Sequence, residues 1–201
     1  GFAQDATRTW VKRVFDVVLS SILLLLSLPV MLLAAVAIFM ESGTPIFIFQ
    51  ERVGRGGRPF LCVKFRSMNA NAEGDGVARW ASANDARVTR VGRLLRKLRV
   101  DELPQLFNVL SGEMSLVGPR PERPPFVAGL KNQIRFYDIR HSIKPGVTGW
   151  AQIRYPYGSS VEDAQRKLQY DLYYVKNHSL SLDVLIIMET VRVVLFGEGA
   201  Q

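Results

Sequence analysis

Two acidic side chains stand side by side at Asp101-Glu102, and Leu103-Pro104-Gln105 follow them into a segment with helical character. Proline is favoured just inside a helix start, where its missing N–H would have no helical partner, so Asp101 reads as the N-cap. Free N–H groups and the positive end of the helix dipole make such a place favourable for phosphate. Two adjacent carboxylates there can divide labour. One can attack phosphorus as a nucleophile while the other holds a hard cation such as Mg²⁺ through oxygen. An N-cap beside a surface glutamate is the plainer alternative, and the dyad alone does not choose between them.

Two cationic groupings suit the same chemistry. In Gly118-Pro119-Arg120-Pro121 the flanking prolines stiffen the backbone and restrict the arginine's approach, which favours a guanidinium clamp on phosphate oxygens. A rigid connector whose arginine pairs with an acidic neighbour would carry the same motif. Lys64-Phe65-Arg66, with Arg90, Arg93, Arg96, Lys97 and Arg99, forms a basic set that is mostly a solvated or headgroup-facing surface, with one or two members free to turn toward phosphates. Lys144-Pro145-Gly146-Val147-Thr148-Gly149-Trp150 is rich in turn formers, and Trp150 is expected in the core.

The elements that must position these groups begin with an apolar stretch. Val17 to Met40 holds 24 residues without a charge, long enough to cross a bilayer as a helix. Pro29 divides it into pieces of 12 and 11 residues, each shorter than the roughly 30 Å hydrocarbon core. Basic residues flank both ends, Lys12 and Arg13 before and Arg52, Arg55 and Arg58 after, which favours both ends in the cytoplasm. The expectation is a re-entrant helix–break–helix, with Ser27 helping the backbone groups that Pro29 leaves unmatched. A buried core helix of a soluble protein is the alternative. Downstream, Ile46–Gln50 and Phe60–Phe65 read as a β-hairpin with a basic turn. Asn69–Asp85 reads as a mobile loop, and Val91–Leu98, Asp101–Leu110, Ala164–Lys176 and Leu182–Phe196 read as helices. The expected fold class is α+β, mainly helical, with a re-entrant membrane hairpin over residues 1–41 and a compact catalytic domain over residues 42–201 that carries a small β element and amphipathic interfacial helices.

A net charge of +8 over 201 residues suits an anionic partner, whether nucleic acid, an acidic membrane or a phosphorylated substrate. The single Cys62 cannot form an internal disulfide, and His141 and His178 show no zinc-site spacing.

The ordered motifs Gln50-Glu51-Arg52-Val53-Gly54, Lys64-Phe65-Arg66-Ser67-Met68, Asp101-Glu102-Leu103-Pro104-Gln105-Leu106, Met114 to Pro121 and Lys144 to Gln152 give nearly the whole chain a resemblance. It resembles the monotopic bacterial phosphoglycosyl transferases, the bacterial sugar transferase family of undecaprenyl-phosphate sugar phosphotransferases. The resemblance implies a re-entrant helix broken at Pro29 and a ping-pong reaction at the bacterial inner membrane, with the catalytic domain on the cytoplasmic face. Asp101 would attack the β-phosphorus of a UDP-sugar, release UMP and pass the phospho-sugar to polyprenyl phosphate. Glu102 would be the Mg²⁺ ligand, and Lys64, Arg96 and Arg120 would lie near the phosphates. The chain departs from the family pattern at Leu28, where Ser commonly precedes the proline. It departs again at Arg154-Tyr155-Pro156-Tyr157-Gly158, where an Asn-Gly-Arg-Asn run is common. An N-terminal regulatory region preceding this chain and a homo-oligomeric state are both compatible with the resemblance. The competing classes are a basic nucleic-acid-binding module, which lacks any recognisable motif here, and a non-catalytic membrane scaffold. The expected partners are therefore UDP-sugar, polyprenyl phosphate and inner-membrane lipids, with no nucleic acid.

Overall fold

The computed structural model describes residues 6–69, 71–74, 76, 79–80, 85–155, 158 and 160–196. Its architecture follows from one long apolar helix laid along a mixed body. Helix α1 (Ala6–Ser42) runs as a single helix with Pro29 inside it, and no gap in the helix marks the expected break. One proline removes only one backbone donation, the one its N–H would make to the Leu25 carbonyl. Ser27 Oγ donates to the Leu24 carbonyl at 3.1 Å, one residue before that unmatched group.

Packing along one stripe supports the helix on both sides of Pro29. Asp16, Ser20, Met31, Ala34 and Ile38 are buried at spacings close to the helical repeat. Val18, Leu25, Leu26, Leu32, Leu33 and Met40 lie on the exposed remainder. At the N-terminal end, Arg13 donates to the Val109 and Leu110 carbonyls at 2.5 and 2.7 Å, and Lys12 meets Asp183 at 2.6 Å. At the other end, Arg66 Nη2 donates to the Ser42 and Gly43 carbonyls, satisfying the free carbonyls of the helix terminus. Both ends of α1 therefore rest on the same body.

Strands β1 (Phe47–Val53) and β2 (Pro59–Phe65) form the expected antiparallel hairpin, with Gln50 opposite Cys62 and Phe47 opposite Phe65. Helix α2 (Arg90–Lys97) is N-capped by Thr89, whose hydroxyl accepts from Gly92 N–H. Helix α3 (Gln105–Ser111) ends at Gly112, which adopts φ 91° as the left-handed cap. A second, parallel pairing joins β3 (Ser115–Val117) to β4 (Gly146–Thr148). Helix α4 (Pro124–Gln133), the short α5 (Trp150–Arg154), α6 (Val161–Asn177) and α7 (Leu180–Phe196) complete the chain. The β3–β4 pairing, α4 and α5 had no sequence expectation. Helix α6 starts earlier than expected, behind a reciprocal cap between Ser160 and Asp163.

Three apolar clusters hold the elements together. One centres on Val109, Met114, Val117, Tyr174 and Ile186 with Leu19 and Leu24 of α1 against it. A second lies between α4 and α6 around Val127, Leu130, Tyr137 and Leu168. The third joins Met31, Ala34 and Ile38 to Phe65 and Leu95. Trp150 is half-buried, packed against the first cluster and stacked on Tyr173 at 6.0 Å, close to its expected core role. Of the expected loop over Asn69–Asp85, residues 70, 75, 77–78 and 81–84 lie outside the described residues. Where described, it leans on the region of α4: Glu73 pairs with Arg123 at 2.6 and 2.8 Å, and Trp80 packs on Phe126.

Candidate active site

The acidic pair sits where two clusters meet. Val100 and Leu103 pack into the third cluster and Leu106 into the first, which fixes the short 3-10 turn Val100–Glu102 between them. The chain enters that turn through Arg99 in the left-handed region at φ 57°, a conformation that costs a non-glycine residue roughly 1 kcal/mol or more. Asp101 therefore lies inside this turn and is not the N-cap of α3. The cap position belongs to Pro104, which makes no side-chain cap.

Asn108 on α3 brings β2 alongside. Its amide donates to the Leu61 carbonyl at 2.8 Å and its carbonyl oxygen accepts from Val63 N–H at 3.0 Å. With the strand pinned at Val63, Lys64 reaches Glu102 Oε1 at 2.9 Å. Arg120 arrives from the Gly118–Pro121 segment and forks onto Glu102, Nη2 to Oε1 at 2.5 Å and Nη1 to Oε2 at 3.2 Å. Arg99 Nη1 stands 3.8 Å from Oε2. Burial alone would push the Glu102 carboxyl up, but the charges of Arg120 and Lys64 outweigh it and hold the group well below its ordinary range. Glu102 in turn pushes the Arg120 guanidinium further up.

Asp101 differs from its neighbour. Both are nearly buried, at 8% and 7% exposure, yet the Asp101 carboxylate accepts no hydrogen bond from any described residue. Burial, and next the negative charge of Glu102, push its carboxyl up, while Lys64, Arg96 and Arg120 pull the other way. Arg96 acts on it from α2, with its Nε donating to Ser67 Oγ at 2.8 Å. The five expected residues Lys64, Arg96, Asp101, Glu102 and Arg120 thus converge on one locus. A cationic excess around two carboxylates suits a diphosphate.

Among the described residues no group of three or more His, Cys, Asp and Glu side chains could hold a metal ion. A Mg²⁺ shared with a diphosphate needs only one or two protein carboxylates, the rest being water and phosphate. Glu102 Oε2, with its single close donor, and the unbonded Asp101 carboxylate fit that mode. Arg154 lies over the Trp150 ring at 4.5 Å and forms no ion pair with the dyad; Pro156 and Tyr157 lie outside the described residues.

Sequence reasoning missed the groups that hold the Arg120 segment. Buried Arg140 pairs with Asp171 of α6 at 2.8 Å and donates to the Arg120 carbonyl, also at 2.8 Å. Arg52 of β1 donates to the Pro121 carbonyl at 3.0 Å. Their sequence separations from Arg120 give no local signal for either contact.

Comparison with known proteins places the chain in a family. The model of the family described as bacterial sugar transferase matches residues 7–197. The chain is 49% identical over 192 residues to an Aeromonas hydrophila protein named UDP-N-acetylgalactosamine-undecaprenyl-phosphate N-acetylgalactosaminephosphotransferase, covering 96% of this chain and 45% of that one. It is 42% identical to an Escherichia coli protein named UDP-glucose:undecaprenyl-phosphate glucose-1-phosphate transferase, covering 90% of this chain and 39% of that one. A Caulobacter vibrioides protein with the same name is 44% identical, with coverages of 94% and 71%. The chain thus spans less than half the length of the first two relatives. With the family model running almost end to end and a relative 44% identical covered over 71% of its length, the chain belongs to the bacterial sugar transferase family.

Proposed function

We propose that this chain transfers a sugar-1-phosphate from a UDP-sugar to polyprenyl phosphate and releases UMP. The observation that carries this reading is the contrast within the dyad, one carboxylate clamped by cations and the other unbonded beside them. Asp101 Oδ forms a bond to the β-phosphorus while the bond from that phosphorus to the bridging oxygen breaks, and UMP leaves with the oxygen and its electron pair. A phosphate oxygen of polyprenyl phosphate then attacks the same phosphorus and the Asp101 carboxylate departs. Lys64, Arg96 and Arg120 offset the charge on the non-bridging oxygens, and their arrangement ahead of the reaction is what makes such groups effective. Mg²⁺, when bound, would be held by Glu102 and would neutralise diphosphate charge.

The membrane placement belongs to the same reading. Helix α1 is one helix of 37 residues, about 55 Å long, and is long and apolar enough to cross a membrane. Both its ends are tied to one body, which favours a course that enters and returns on the cytoplasmic side, bending about Pro29, over a full crossing. That course sets the dyad at a surface where a soluble and a lipid substrate meet.

The test is UMP release from a panel of UDP-sugars by membrane-reconstituted protein, together with label from a β-³²P UDP-sugar. Asp101-dependent release, with label retained on the protein when polyprenyl phosphate is omitted, supports the two-step path. Release that requires the acceptor and leaves no labelled protein would replace it with direct transfer. No release from any donor would reject the transferase reading.

A further inference from the structure

Four consecutive carbonyls around Arg120 are each held from outside their own segment. Pro119 O accepts from Gly146 N–H at 3.0 Å, Arg120 O from Arg140 Nη2 at 2.8 Å, Pro121 O from Arg52 Nη1 at 3.0 Å and Glu122 O from Val53 N–H at 2.9 Å. Pro119 and Pro121 have fixed φ and no N–H of their own to offer. The path of the backbone that presents Arg120 is therefore decided by these donors, and two of the four are arginine side chains.

We propose that Arg140, assisted by Arg52, is a positioning residue that acts on the transfer reaction through Arg120. The proposal rests on the transferase reading, in which Arg120 meets the donor's phosphates. Arg140 is 5% exposed. Its Nε and Nη2 both reach Asp171 Oδ2, at 2.9 and 2.8 Å, its Nη1 meets Tyr137 Oη at 3.4 Å, and Nη2 continues to the Arg120 carbonyl. A buried ion pair is a poor route to stability, because the cost of desolvating both charges cancels much of their attraction. A planar fork that binds Asp171 on one side and a backbone carbonyl on the other is, however, a rigid strut between α6 and the Arg120 segment. Lysine offers a single point charge and cannot span both partners in that geometry. A guanidinium displaced by even about 1 Å from the reacting phosphates is enough to slow a positioned reaction severely.

The experiment is a double-mutant cycle on the full chain, with Arg140→Met and Arg120→Lys alone and together, read as UDP affinity and as kcat/KM for UMP release. Arg140→Met is expected to lower both about tenfold in the native background and less than about twofold beside Arg120→Lys, since residues acting through one group are non-additive. Equal losses in the two backgrounds would overturn the proposal and leave Arg140 as a structural residue. Arg140→Lys serves if the Met variant does not fold, and the same loss is expected because charge without the fork is insufficient. Ile186→Ala, in the core and not among the residues that hold the segment, controls for stability. A similar fall in melting temperature with kcat/KM kept within about twofold supports positioning, and a tenfold loss there would count against it. Wild-type protein that binds UDP but releases no UMP would reject the transferase reading, while the affinity cycle would still decide the positioning.

Discussion

At the scale of single residues, adjacency puts two carboxylates in one turn and surroundings give them opposite behaviour. Glu102 faces Arg120 and Lys64 and stays ionised, while Asp101 is raised by burial and by the charge of Glu102. A nucleophilic Asp101 must be deprotonated, so the acid limb of kcat/KM is expected at higher pH than an ordinary aspartate would give. Glu102→Gln removes one of the two causes of that elevation. Its kcat/KM should fall by about 10²-fold or more, and its residual acid limb should move to lower pH; an unmoved limb would uncouple the two groups. His141 gives a second pH signature. Burial, with the charge of Arg140 beside it, pushes its imidazole down to about 4 from 6.5. Among the described residues its buried ring nitrogens have no well-formed hydrogen bond, and the Asp138 carboxylate 3.4 Å from Nδ1 only partly offsets the downward push. Between those two values the unfolded chain binds a proton that the folded chain refuses, so stability falls as pH drops through the window. The loss is up to about 3 kcal/mol. His141→Phe should flatten that part of the profile in melting experiments at pH 7 and pH 5.

At the scale of elements, the site depends on close backbone approaches. A side chain at Gly146 would place Cβ 2.0 Å from Gly118 N and 2.3 Å from Thr148 O, so β4 could not keep its place beside the segment leading to Arg120. Gly146→Ala should destabilise the fold by about 2–3 kcal/mol and reduce activity in the surviving folded fraction; unchanged melting would contradict the packing described. Helix α1 is the element whose course matters most for the proposed lipid substrate. Single cysteines placed at exposed Arg8 and Arg55, with buried Cys62 left in place, should both be labelled only from the cytoplasmic side. Labelling of Arg8→Cys from outside intact cells would establish a full crossing.

At the scale of the whole molecule, α1 is part of the folded body as well as its proposed membrane contact. Met31, Ala34 and Ile38 cover Phe65 and Leu95, and Asp16 accepts from Leu116 N–H at 3.2 Å in the body's interior. At about 1.5–3 kcal/mol for each large apolar side chain buried, the burial that α1 supplies is comparable to the entire stability of an ordinary domain. Residues 43–201 expressed alone should therefore show no cooperative thermal transition in detergent. A truncated chain melting like the full one would make α1 a detachable anchor.

The sequence by itself determined the elements whose signals are local. The apolar run of α1, the hairpin, the helices α2, α6 and α7, and the acidic pair with its basic neighbours all follow from periodicity, turn residues and motif order. Tertiary structure decided where those groups meet. Nothing near Asp101 in the chain shows that α3 is bolted to β2 through Asn108, or that the left-handed Arg99 turns the dyad away from the helix cap. The strut from Asp171 through Arg140 to Arg120 spans three distant segments. Pro29 is the opposite case, a strong local breaker carried inside a continuous helix because packing along both halves holds it there. Local chemistry is written along the chain, whereas contacts between distant residues depend on which surfaces bury together, and only the folded arrangement specifies those.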